Sequence, residues 1–220
     1  VSEFLLKRGL FLIFLEFTIV GYAWPTQAPA FPPTAIWLQV IWAIGLSMLA
    51  LSVLVYLPWT VLIGVGPIIV LGHNLLDPVE IAQGQAGHAI WAILHDRGFI
   101  DLPWGGQART SYPLLPWIGV AALGYALGPW FAGQAERRQA DLVKLGLAVL
   151  ALFALLRGIN LYGDPTPWAW QADGLHTAMS VLNLTKYPPS ADFFLLTLGV
   201  GALVLSGLER APQKPVALLA

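Results

Sequence analysis

Residues 191–208, ADFFLLTLGVGALVLSGL, form an apolar run whose one ionisable side chain is Asp192. The run lacks the strict alternation of a barrel strand and is too long and continuous for one. A helix satisfies its own backbone in lipid, and about 20 apolar residues suffice to cross the hydrocarbon. Working outward, five further runs read the same way: residues 4–24, 35–57 (stopped by Pro58), the short 59–72, 112–131 and 142–159. The spacing therefore predicts an all-α, polytopic transmembrane helix bundle of about six spans, in which strands have no evident place. No internal repeat interrupts residues 1–220, which read as a single membrane domain.

Composition agrees. The chain is 57 % hydrophobic and 10 % charged, with a mean hydropathy of +0.71. Soluble domains carry about 25 % charged residues, so water cannot be the solvent on every face. A net charge of −1 and the absence of a Lys/Arg run leave no nucleic-acid footprint. The absence of cysteine excludes disulfides, thiolate catalysis and Cys-based metal sites. The chain opens on Val1. Its first run carries Lys7 and Arg8 in front and Glu16 inside, without a following small-residue cleavage site, and reads as a span rather than a leader.

The basic residues orient the bundle. With both termini inside, Lys7, Arg8, Arg137, Arg138, Lys144, Arg210 and Lys214 are cytoplasmic. Arg97, Arg109, Arg157 and Lys186 fall on the outer side. Trp24, Trp37, Trp117 and Trp168 then sit at the outer interface, and Trp59 and Trp130 at the inner one. The long segments 73–111 and 160–190 are both outside. Their aromatics argue against disorder. Residues 79–97 are compatible with an amphipathic helix on the membrane surface.

All four histidines lie on that outer side. His73 and Asn74 end the third run, with Asp77 one turn on. A His near a carboxylate is a general-base arrangement, and an Asn amide can donate to an oxyanion, although the same pair also suits a capped helix end. His88 and His95, seven residues apart, sit about 10 Å apart along a shared helix axis, so no metal site is predicted. Glu16 inside a span is either functional or a structural interhelical hydrogen-bonding group. Arg157 either binds a phosphate or carboxylate or pairs with Asp164. Asn160, Asp164, Asn183, Lys186 and Tyr187 complete the candidate substrate-binding set. Tyr112-Pro113 and Tyr187-Pro188-Pro189 suit helix starts at an interface. The spacing Gly124-x-x-x-Gly128 permits close helix packing.

Several strings taken together carry a resemblance: FLLKRGL (4–10) with Phe14-Leu-Glu16, QVIWAIG (39–45), GHNLLD (72–77) and YPLLPWIG (112–119). With them go Arg157-x-x-Asn160-x-Tyr-Gly-Asp-Pro165 and Asn183-x-Thr-Lys-Tyr-Pro-Pro-Ser190. Over nearly its whole length the chain resembles the bacterial members of the heparan-alpha-glucosaminide N-acetyltransferase catalytic-domain family. The resemblance implies a membrane acyltransferase of the bacterial inner membrane. Such an enzyme takes acetyl from acetyl-CoA and passes it to an amine, such as that of glucosamine, across the bilayer. The family's catalytic His belongs to an upstream Asp-His segment absent from this sequence. The chain is therefore expected to be the C-terminal portion of a longer protein, with His73 and Asn74 its remaining catalytic candidates. Expected partners are the lipid bilayer and a small-molecule acceptor, and a homo-oligomer stays open. A non-catalytic scaffold and a component of a small-solute transporter are the alternative readings.

Overall fold

Helices form where the apolar runs are long enough to close their own backbone hydrogen bonds, and among the described residues four stretches reach bilayer-spanning length: Trp59–Leu76, Leu114–Ala132, Ala135–Ile159 and Ala191–Arg210. Only 22–33 % of each apolar window is buried within the protein, so most of these side chains face outward, as a lipid solvent requires. The computed structural model describes residues 1–23 and 32–210. Trp24 and Lys214, used above for orientation, lie outside the described residues. The chain divides into two compact units, Val1–Ala126 with Thr185–Ser190, and Leu127–Leu184 with Ala191–Ala220.

The first unit begins with α1 (Ser2–Leu15), a π-helical turn (Glu16–Val20) and the short α2 (Gly21–Ala23). Strand β1 (Ala35–Leu38) precedes α3 (Val40–Leu54). Helix α4 (Trp59–Gly72) tightens into a 3-10 turn (His73–Leu76). The segment that follows holds α5 (His88–Leu94), β2 (Phe99–Asp101) and β3 (Gln107–Thr110), and α6 (Leu114–Ala126) closes the unit. Helices α1 and α3 cross at Gly9 and Gly45. A Cβ on Gly9 would stand 2.7 Å from the Gly45 carbonyl oxygen, and one on Gly45 would stand 2.9 Å from that of Gly9. Small residues let the two backbones meet where no hydrophobic effect drives helices together. The Ser2 hydroxyl adds a 2.7 Å bond to the Ser52 carbonyl.

Glu16 resolves into one of its two sequence readings. It is fully buried, and its two carboxylate oxygens accept from the backbone N–H groups of Gln39 (3.3 Å) and Trp42 (3.2 Å). These are the N-cap and N3 positions of α3. One acid from a neighbouring helix thus takes both donors that a capping box would satisfy locally.

The second unit holds α7 (Gly128–Ala132), α8 (Ala135–Ile159), α9 (Gly174–Leu182) and α10 (Ala191–Arg210). Helices α8 and α10 meet at Gly146 and Gly199, where a Cβ on Gly146 would stand 2.9 Å from the Gly199 oxygen. An ion pair from Arg138 to Glu209 (2.7 Å) and a bond from the Ser206 hydroxyl to the Gln139 carbonyl (3.1 Å) fix the pairing.

Three expectations are corrected. The run 35–57 is not one helix, because its first residues pair as β1 with β3 in parallel, and β3 pairs antiparallel with β2, giving the order β1-β3-β2. Pro32 and Pro33 disfavour helix just before it, and Ile36 and Trp37 suit a strand. The helix sought in 79–97 is only α5, because Gly84 and Gly87 adopt positive φ (88° and 89°) and break the chain before it. A Cβ on Gly124 or Gly128 would meet nothing within 4 Å among the described residues, so the predicted crossing motif is not where these helices pack.

Candidate functional site

In the first unit the end of α4 gathers the polar side chains. His73 is buried, and both of its ring nitrogens face backbone carbonyls. Nδ1 lies 3.0 Å from the Val70 oxygen, and Nε2 lies 2.8 Å from the oxygen of Pro189. The ring therefore ties the segment Thr185–Ser190 to α4. The Asn74 amide donates to Asp77 Oδ2 at 2.8 Å, so in this structure it orients an acid.

The other oxygen of Asp77 lies 3.1 Å from Nε2 of His95. The His95 ring is 3 % exposed, packs on Trp91 at 4.9 Å and stands 6.1 Å from the His73 ring. Its Nδ1 is buried without a hydrogen-bond partner among the described residues. Burial holds this imidazole below its ordinary pKa, against the pull of Asp77. A neutral ring that donates Nε2–H to a carboxylate keeps its lone pair on Nδ1, which is the arrangement of an oriented general base. The sequence places Asp77 next to His73, whereas the fold gives Asp77 to His95. The usable signal was the carboxylate itself, whose partner depends on where α5 packs.

His88 clips the same segment from outside. Its two nitrogens lie 2.7 Å from the Ile81 oxygen and 2.9 Å from the Phe99 oxygen, and these carbonyls raise its pKa. His88 and His95 thus serve different partners. Among the described residues no group of three or more His, Asp or Glu side chains is placed to hold a metal ion.

Tyr112 and Tyr187, 75 residues apart, meet with their hydroxyls 3.0 Å apart and their rings edge to face at 5.2 Å. Arg97 and Lys186 each stand 5.2 Å from the Tyr187 ring, within cation–π range. The hydrogen bond from Tyr112 lowers the Tyr187 pKa against desolvation, helped by the hydrogen bond and charge of Lys186 and by the charge of Arg97. Tyr112 also closes one end of an apolar groove of about 260 Å³ between α3 and α6.

The second unit holds the rest of the predicted set. Arg157 is buried and makes four hydrogen bonds, all to carbonyls: Nε to Val181 (2.9 Å), Nη1 to Thr166 (3.1 Å), and Nη2 to Ser180 and Asn183 (both 3.2 Å). Three of these oxygens sit at the C-terminal end of α9, where a cation is favoured. Arg157 Nη1 also lies 3.9 Å from a carboxylate oxygen of Asp192 on α10. Asn160, at φ 58°, donates to the Trp168 carbonyl and accepts from its N–H, while Asp164 accepts from the Thr166 N–H. Asn183 caps α9. Gly163 has φ 106° and packs directly on the Asp192 carboxylate, leaving no room for a Cβ, and its carbonyl accepts from the Asp192 N–H at 2.8 Å. Together these contacts fold residues 160–184 into a defined loop.

Long, apolar, outward-facing helices with polar clusters gathered at their ends define a polytopic membrane protein. The chain belongs to the heparan-alpha-glucosaminide N-acetyltransferase family, whose catalytic-region profile matches residues 2–159. No curated protein and no solved structure matches it.

Proposed function

We propose that this chain takes part in transferring an acetyl group from acetyl-CoA to the amine of an extracytoplasmic acceptor, an amino sugar such as glucosamine, in the bacterial inner membrane. The observation that carries the reading is the chain Asn74–Asp77–His95 within a protein of this family. His95 Nδ1 accepts a proton from the acceptor nitrogen as that nitrogen attacks the thioester carbonyl. The N–C bond forms, the C–S bond breaks, and the thiolate leaves with the proton. Asp77 fixes the tautomer, Asn74 fixes Asp77, and His73 supports the same corner through Pro189. In the first unit Lys186 and Tyr187 face the acceptor; in the second, Asp164 and Asn183 are candidate acceptor contacts on the loop that Arg157 and Asn160 shape. A topology of about six spans, with both termini inside, puts this corner on the outer side.

The test is acetyl transfer in membranes from radiolabelled acetyl-CoA to glucosamine and related amino sugars. Transfer that is lost in His95→Ala and kept in Arg8→Gln supports the reading. Transfer unchanged in His95→Ala removes that base, and no transfer to any amino sugar removes the acceptor class.

A further inference from the structure

The groove between α3 and α6 is lined by Ala43, Ser47, Met48, Trp117, Val120 and Ala121, and apart from the Ser47 hydroxyl its wall is nearly all apolar. Ser47 is itself buried without a hydrogen-bond partner among the described residues. Nothing in this wall would hold a sugar or a nucleotide, whose polar groups need partners. One end of the groove is different. There the Trp117 ring lies 6.1 Å from Tyr112, and Tyr112 leads on to Tyr187. Arg97 and Lys186 flank Tyr187, and neither makes an ion pair with a carboxylate among the described residues. An aromatic ladder therefore joins a hydrocarbon-lined slot to two cations and two hydroxyls. That is the complement of a molecule with an apolar tail and an anionic head.

The geometry points to this groove as the binding site of a phosphate-headed lipid. Its tail lies against Ser47, Val120 and Ala121, and its head group meets Lys186, Arg97 and the hydroxyl of Tyr187. On the acyl-transfer reading, on which this assignment of role rests, the lipid carries the acceptor to the His73–His95 corner, to which Pro189 ties the same segment. Binding itself does not depend on that reading. The choice of a lipid over free phosphate follows from the groove, whose nearly all apolar wall suits a hydrocarbon tail.

The protein in nanodiscs of zwitterionic lipid is titrated with an alkyl phosphate brominated along its tail, and tryptophan quenching is followed without acetyl-CoA. The same brominated tail on phosphocholine, inorganic phosphate and coenzyme A are run as competitors. The expected result is saturable quenching at least tenfold tighter for the phosphate head than for phosphocholine. Most of it is lost in Trp117→Phe, and affinity falls at least tenfold in Ala121→Leu, which fills the groove. The double variant Arg97→Gln, Lys186→Gln, confined to exposed side chains, abolishes the preference between heads and serves if Ala121→Leu does not fold. Equal affinity for both heads, indifference to the folded Ala121→Leu, or displacement by inorganic phosphate or coenzyme A overturns the proposal. Binding without any acetyl transfer leaves the site standing and sinks the transferase reading. Transfer to soluble glucosamine without binding does the reverse.

Discussion

His95 and Asp77 lie 3.1 Å apart through Nε2 and Oδ1, and the opposite nitrogen of the same ring is buried with no hydrogen-bond partner among the described residues. On the proposed acyl-transfer reading, the pair sets how activity depends on pH. Burial lowers the His95 pKa and the Asp77 charge partly restores it. The base is neutral, and competent, above that lowered value. In Asp77→Asn the restoring charge is gone, so the acid limb of kcat/KM moves to lower pH while kcat falls about 10²-fold or more through loss of orientation. A profile whose acid limb stays in place, or moves up, would take the pair out of the chemistry.

Arg157 offers a prediction about stability. Its guanidinium holds four carbonyls and stands near Asp192, both side chains being almost fully buried. Arg157→Met leaves those acceptors and a buried carboxylate without a partner, at a cost of about 3–5 kcal/mol. Arg157→Lys recovers little, because one ammonium cannot reproduce the planar fork. Thermal unfolding in detergent measures this, with Arg157→Met, Asp192→Asn more stable than Arg157→Met alone. If Arg157→Met unfolds like the parent and only acceptor affinity drops, the side chain is a ligand-binding group after all.

The helices were legible because lipid makes the rule simple: a run of apolar residues long enough to span must close its own hydrogen bonds. What escaped depended on distant partners. Residues 35–38 look like the start of a span until 107–110 arrives to pair with them. Asp77 was legible as a candidate acid, but its partner was not, since His95 reaches it only after Gly84 and Gly87 turn the chain into α5. Arg157 reads as a group for a phosphate or carboxylate or as a partner for Asp164; its four hydrogen bonds to backbone oxygens were not legible, since every sequence contains such oxygens and none displays them. Tyr112 and Tyr187 both suit an interface, and Tyr187 also belongs to the candidate substrate-binding set; that they touch is a matter of topology.

Glu16 tests whether a charge in an apolar run is there for structure. It takes two N–H groups at the start of α3. Glu16→Ala strands both donors, and a lost cap costs about 0.5–2 kcal/mol. Glu16→Gln keeps one acceptor oxygen and loses less. Hydrogen exchange in the first turn of α3 should rise in the order parent, Gln, Ala. Equal exchange in all three would mean that the cap contributes nothing.

His88 gives the last prediction a definite sign. Both of its ring nitrogens face carbonyl oxygens, so the doubly protonated ring is the form they hold, and its pKa in the folded protein is raised above 6.5. A group raised on folding contributes stability that is fully present below its unfolded value and lost as pH rises through the folded one. The ring is near the surface, so the effect is local: the clip between residues 81 and 99 loosens above that pH. Limited proteolysis of the 77–111 segment should therefore quicken from pH 6 to pH 8, after correction for the protease's own pH dependence. In His88→Gln it should be fast at both pH values. A parent cut more slowly at pH 8 than at pH 6 would show that the neutral ring is the one that holds the segment.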